Sequence, residues 1–229
     1  MNIDGRNCYK NVSYKEINTE NEQGEKEYMY VIPSSTIKGI VHSYCKKIIL
    51  TLGKNVQILD DIFGEKTNER EKKEGKRGNL IFNDYKISED RLKKCKSIYN
   101  RIKIDRFTGG AFQGNIFRDE VIIFNEETQK LEFKVSISNK LKSREYGKQK
   151  LFEKAIALII LTFRDMGLGY VTLGSGNNVG LGRLQGNFII IKDNCNEYKV
   201  QFNNGELVAY NNRHSDVKKF EEYIKALNE

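Results

Sequence analysis

The stretch Ile32-Pro33-Ser34-Ser35-Thr36-Ile37-Lys38-Gly39 decides how the chain is read, because a strand must end and a helix begin inside it. Residues 28–32 form a short β-prone run that stops at Pro33, the single proline of the chain. Proline fixes φ and lacks an N–H, so it ends the strand and suits a helix entrance. Beyond it, Ile37, Ile40, Val41, Tyr44, Ile48, Ile49 and Leu52 recur at the i, i+3, i+4, i+7 spacing of an amphipathic helix, with Ser34 or Ser35 as N-cap. Free N–H groups of the first turn, two serine hydroxyls and the positive end of the helix dipole then converge on one point, which suits a phosphate. Lys38, His42 and Lys46 follow at four-residue intervals and are expected on a solvent face opposite the apolar stripe. An ordinary capped helix with a basic outer face is the plain alternative.

Upstream, residues 1–27 read as a polar loop, with a strand hinted at over residues 9–17 by Tyr9, Val12 and Tyr14. Downstream, residues 65–78 carry both charges without an aliphatic side chain and are expected to be a flexible loop. Residues 79–87 and 131–138 alternate as strands, the second through Leu131, Phe133, Val135 and Ile137. Residues 150–166 predict a helix on Leu151, Phe152, Ala155, Ile156, Ile159 and Phe163. Strands are predicted at 187–191, 197–202 and 206–210, with Asn203-Asn204-Gly205 as a hairpin turn, and an amphipathic helix at 215–228 capped by Ser215 or Asp216. No repeat or linker interrupts the chain, so a single α+β domain over residues 1–229 is expected.

The chain has 229 residues, 39 Lys and Arg against 31 Asp and Glu, and a net charge of +8. With a pI near 9.1 and a mean hydropathy of −0.61, it reads as a globular protein whose excess positive charge favours a polyanion. No apolar run approaches the ~20 residues of a membrane span, and no signal peptide opens the chain, so a cytoplasmic protein with no membrane partner is expected. The cysteines at positions 8, 45, 95 and 195 form no C-x-x-C pair, and there are only two histidines. No metal site is predicted.

Two further segments carry chemistry. Ile104-Asp105-Arg106-Phe107-Thr108-Gly109-Gly110-Ala111-Phe112-Gln113-Gly114-Asn115-Ile116-Phe117-Arg118-Asp119-Glu120 interleaves three phenylalanines with glycines and two arginines. Such a segment suits a protruding hairpin whose rings stack on bases while arginines meet phosphates, with a core-capping loop as the alternative. Leu173-Gly174-Ser175-Gly176-Asn177-Asn178-Val179-Gly180-Leu181-Gly182-Arg183-Leu184 lies in a region, 167–186, that holds seven of the nineteen glycines. It follows a helix and leads into a strand, the reverse of a dinucleotide-binding glycine loop, so nucleotide cofactors are discarded.

In this order the segments resemble the repeat-associated mysterious protein (RAMP) superfamily of CRISPR systems. Pro33-Ser34-Ser35-Thr36-Ile37-Lys38-Gly39 resembles the family's proline-glycine-serine-serine-leucine-lysine-glycine element, with the first glycine lost and the second serine shifted. Residues 105–120 look like the thumb of the backbone subunits of type III effector complexes. The segment from Gly174 to Arg183 is similar to the family's C-terminal glycine-rich loop. Ile62-Phe63-Gly64 and Gly78-Asn79-Leu80-Ile81-Phe82-Asn83-Asp84 fit its phenylalanine-glycine and glycine-x-leucine-x-phenylalanine-x-aspartate pieces. The resemblance implies a ferredoxin-like (RRM-like) β-α-β-β-α-β core with a thumb hairpin insertion and a C-terminal helix. It implies a subunit that binds CRISPR RNA through Ser34, Ser35, Lys38, His42, Lys46, Arg106, Phe107, Phe112, Phe117, Arg118, Gly174, Ser175, Gly176 and Arg183. Its partners would be CRISPR RNA, target RNA and other effector subunits, including copies or paralogues of itself.

The sequence departs from the family pattern in three places. The first strand ahead of a glycine-containing loop is lacking, so residues 9–17 or a neighbouring chain would supply it. His42 stands where the family often has arginine. Subunits that cleave target RNA carry an aspartate about fifteen residues before the proline, whereas Asp4, twenty-nine residues before Pro33, is the only aspartate ahead of it. An inserted loop at 18–26 would return Asp4 to that place as the candidate cleavage residue. No tightly bound cofactor is expected, and Mg2+ only if RNA is cut. Two alternatives stand beside this reading. One is a metal-independent endoribonuclease processing CRISPR RNA, with His42 or His214 as general base. The other is a stand-alone RNA-binding protein.

Overall fold

A computed structural model describes residues 19–20, 26–27, 29–65, 67, 74–88, 96–122, 131–142, 146–174, 176–193 and 196–228. In chain order its strands and helices are β1 (Thr19–Glu20), β2 (Lys26–Glu27), β3 (Met29–Ile32), α1 (Ser34–Thr51), α2 (Ile58–Phe63), β4 (Gly64–Glu65), β5 (Lys76–Arg77), β6 (Leu80–Phe82) and β7 (Tyr85–Ser88). They continue as β8 (Lys96–Ile104), β9 (Ala111–Ile122), β10 (Val135–Ile137), α3 (Tyr146–Gly167), β11 (Phe188–Asp193), β12 (Asn196–Asn203), β13 (Glu206–Ala209) and α4 (His214–Lys225). The result is a mixed α+β chain with small antiparallel sheets. It falls into two compact units, Met1–Pro33 with Asp84–Phe133, and Ser34–Asn83 with Lys134–Glu229.

In the first unit β3 pairs with β7 from Met29↔Ser88 to Ile32↔Tyr85, and Val31 and Ile87 are buried. The Tyr85 and Phe133 rings meet edge to face at 6.0 Å. β8 and β9 form a long two-stranded hairpin, and β1 pairs with β2. Residues 9–17 lie outside the described residues.

The core of the second unit sits between α1 and α3. Its α1 stripe is Ile37, Val41, Cys45 and Ile49, facing α3 residues that include Ala155, Leu158 and the fully buried Thr162. Leu59, Ile62 and Phe63 of α2 and Leu80 of β6 join it. Leu52 does not belong to this stripe: helix α1 ends at Thr51, and Leu52 is left 42% exposed. α1 already begins at Ser34, so Ser34 and Ser35 are its first helical residues and the capping position falls to Pro33.

The run at 79–87, read as one strand, is two. β6 pairs with β10 and β7 with β3, and the break falls at Asn83-Asp84, side chains that compete locally for backbone partners and favour turns. Only Val135–Ile137 of the expected strand at 131–138 is in a ladder, because its partner β6 offers three residues. In the segment expected to be a charged loop, β4 and β5 pair at Gly64↔Arg77 and Glu65↔Lys76, while residues 66 and 68–73 lie outside the described residues.

The C-terminal part follows expectation closely. β11, β12 and β13 form a three-stranded antiparallel sheet, and Asn203↔Glu206 closes a two-residue hairpin. Both central residues, Asn204 and Gly205, have positive φ (48° and 87°), as the turn that matches strand twist requires. Asp216 is not a cap, however. The capping position of α4 is Arg213, and the buried Asp216 carboxylate accepts the Lys199 backbone N–H at 2.9 Å. β13 stops at Ala209, opposite Val200, so the next N–H along β12 needs another acceptor.

Candidate nucleic-acid interface

Along α1, Lys38, His42 and Lys46 each follow a core residue by one position, which turns them about 100° from the buried stripe instead of opposite it. The consequence is visible at His42, which is half-buried with its ring edge to face on Phe63 at 5.0 Å. Lys38 is partly exposed, and Ser35 and Lys46 are exposed. The helix therefore offers two ammonium groups and its opening turn, with the histidine between them engaged by an aromatic ring.

On the far side of α1 a partly buried polar network ties it to α3. The Tyr44 hydroxyl donates to Asp165 Oδ2 at 2.9 Å, while Arg164 Nε donates to Oδ1 at 2.8 Å. Burial, and then the Asp165 carboxylate, push the Tyr44 phenol above its ordinary pKa. Burial likewise pushes the Cys45 thiol up to about 11; it contacts the Thr162 hydroxyl at 3.4 Å. These groups lock the helix pair and are structural.

The expected thumb is the tip and return strand of a longer arm. β8, which lies ahead of the expected segment, pairs with β9 from Lys96↔Ile122 through Ile102↔Ile116 to Ile104↔Ala111. The turn is built by Asp105: its carboxylate accepts the Phe107 N–H at 2.9 Å and the Thr108 hydroxyl at 3.0 Å. Its backbone C=O accepts the Gly109 N–H at 2.9 Å, with Gly109 at a φ of 68°. This turn holds Phe107 at the tip, 99% exposed. Arg106 and Arg118 are exposed, and Phe112 is 41% exposed with Lys103 Nζ 5.0 Å above its ring. The side chain of Phe117 lies outside the described residues. Ile98, Ile102 and Ile116 are more than half exposed along the arm.

The glycine-rich loop folds back on itself. Leu173 N–H donates to Gly182 O at 2.8 Å, and a Cβ at Gly182 would fall 2.1 Å from the Leu173 carbonyl oxygen, so that position admits only glycine. A single 3-10 turn at Asn177–Val179 sits between Gly176 and Gly180, both left-handed. Gly174 is exposed, and Arg183 is exposed with its Nε 3.5 Å from the Gly169 carbonyl. Ser175 lies outside the described residues, as does Asp4. His214 is exposed at the first position of α4. Among the described residues no group of three or more His, Cys, Asp or Glu side chains is placed to hold a metal ion. No helix among them is long and apolar enough to cross a membrane.

Sequence reading missed two features: the isoleucines of β8, although Ile98, Ile102 and Ile104 share one parity, and an aromatic pair with a lysine on the C-terminal sheet, Phe188, Tyr210 and Lys199. The second joins three separate strands or turns and has no local pattern.

A mixed α+β chain with a basic helix entrance, an aromatic-tipped arm and a closed glycine loop has the makings of a nucleic-acid-binding protein. The RAMP superfamily model matches residues 14–185, three quarters of the chain, and the protein belongs to that superfamily. Membership carries a CRISPR-associated, RNA-binding role, and RAMP proteins generally bind CRISPR RNA within multi-subunit complexes. The comparison with curated proteins returns no match.

Proposed function

We propose that this chain is an RNA-binding subunit of a type III CRISPR ribonucleoprotein effector, which holds CRISPR RNA and presents it to target RNA. The observation that carries this reading is the arm, whose Asp105 turn holds Phe107 wholly in solvent. A ring with no protein neighbour stabilises nothing in the free subunit, and a nucleobase is the partner its flat face suits. The opening turn of α1, with Ser34, Ser35, Lys38 and Lys46, takes the guide backbone, and the loop around Gly174, Gly176 and Arg183 lies along the same RNA. A ferredoxin-like core with the arm inserted between β7 and β10 is part of this reading, and membership of the superfamily is what supports it.

Copurification from native cells with sequencing of the bound RNA tests this directly: the expected cargo is CRISPR RNA together with other effector subunits, and a cargo without repeat-derived sequence sinks it. Nothing favours the processing-nuclease alternative, since His42 is engaged by Phe63 and His214 begins a surface helix. Purified protein mixed with labelled repeat RNA without metal should therefore leave it uncut. Asp4 is the candidate for target cleavage. In the assembled complex with Mg2+, regular cuts lost in Asp4→Ala assign it, and cuts unchanged in the variant eliminate it.

A further inference from the structure

The outer face of the C-terminal sheet carries a feature that the family match, which ends at residue 185, does not reach. Cross-strand pairing puts Phe188 opposite Gln201, Ile190 opposite Lys199 and Gln201 opposite Val208, so these side chains share one face. The Phe188 and Tyr210 rings meet at 88° with centroids 5.3 Å apart. Lys199 Nζ occupies the corner, 4.0 Å from the Phe188 centroid and 3.9 Å from that of Tyr210. Phe188 remains 42% and Ile190 44% exposed.

The opposite face anchors this platform. Val200 is fully buried, and the Phe202 ring lies so close to Gly167 and Gly186 that a Cβ on either would come within 2.5 Å of it. Asp216 holds the backbone of Lys199 itself. Of the acidic groups on the outer face, Glu197 is paired with Lys192, and Glu206 lies at the hairpin turn on the far side of Gln201. Among the described residues the Lys199 ammonium thus has two aromatic faces and no carboxylate within ion-pair distance. Rings attract the charge but accept its N–H groups poorly, so an anion at this corner completes its coordination.

We infer that this face is a second contact for single-stranded RNA, with Lys199 on a phosphate and Phe188 under a base. The inference rests on the reading of the chain as RNA-binding. The occupant is RNA and not an apolar protein segment, because the cation sits at the centre of the patch, where protein interfaces are depleted of lysine. An aromatic ring beside a fixed positive charge is instead what a stacked single strand uses.

The test uses the full chain and 4-thiouridine-substituted single-stranded RNA. Crosslinks in the wild type should map to Phe188 or Tyr210, a result that needs no variant to fold. In binding titrations, Lys199→Met should flatten the log–log salt slope by about 0.7, while Lys199→Arg keeps it. Phe188→Leu retains apolar area but loses the π face, and should weaken binding about 5-fold or more. Wild-type affinity in Phe188→Leu and Lys199→Met, with no crosslink on the sheet and binding still weakened by Lys38→Ala, would overturn this inference and leave the proposed function standing. A wild-type chain that binds no RNA would overturn both.

Discussion

At the residue scale, two buried polar groups bind the second unit together, and each makes a prediction. Cys45 has no exposed surface, and its thiol is held neutral up to about pH 11 against an ordinary value of 9.0. The stability gained by burying it uncharged is therefore intact below pH 9 and is lost as pH rises through the folded value. Iodoacetamide at pH 8 should leave Cys45 unmodified in peptide maps of the native protein and label it fully in urea; native labelling at the unfolded rate would contradict its burial. Asp216 is the second group. Asp216→Ala strands the Lys199 N–H and should cost about 1–3 kcal/mol in urea unfolding, whereas Asp216→Asn, which keeps an acceptor oxygen, should cost less. Sequence showed Asp216 only as an acidic residue near a helix start, and a local capping role was the natural reading. Its partner lies seventeen positions back on another element, a relation that only tertiary structure supplies.

At the element scale, the long periodic helices and the Asn-Gly hairpin were legible because their causes are local. Ile37, Val41, Cys45 and Ile49 repeat every turn, and Asn204-Gly205 supplies two left-handed residues in succession. The lengths of β6 and β10 were not, since a ladder ends where its partner does. Nor was β8: its isoleucines alternate, but they face solvent in the free chain, where alternation normally marks a core face. For the arm, Phe107→Ala should leave the urea midpoint unchanged, because the ring touches water alone, yet weaken RNA binding by about 1–3 kcal/mol with little sequence preference. With 2-aminopurine placed along the guide, fluorescence should rise at periodic positions in the assembled complex and fall back in the variant. Uniform stacking along the guide would rule out a base contact by Phe107.

At the scale of the whole molecule, a charge of +8 drives association with RNA without encoding a sequence, and the salt dependence of binding counts the phosphates that are met. Composition made the class of partner legible, but not which cations serve it, since most of the 39 Lys and Arg side chains keep a protein soluble whatever it binds. Position in the fold separates them. Lys38 and Lys46 stand on the flank of a helix fixed by its buried stripe, while Lys76 is paired with Asp61 and Lys219 with Glu222. The first two keep their geometry as RNA arrives; the latter two must first give up a carboxylate. If four or five phosphates are engaged, log Kobs against log salt should fall with a slope of about −3 for the wild type. Lys38→Ala and Lys46→Ala should each reduce that slope by about 0.7, and equally for a repeat-derived RNA and for oligoadenylate, because a phosphate contact reads no base. Lys219→Ala should leave it unchanged. A slope that drops for Lys219→Ala as much as for Lys38→Ala would mean that binding follows net charge alone, and the α1 flank would then be an ordinary basic surface.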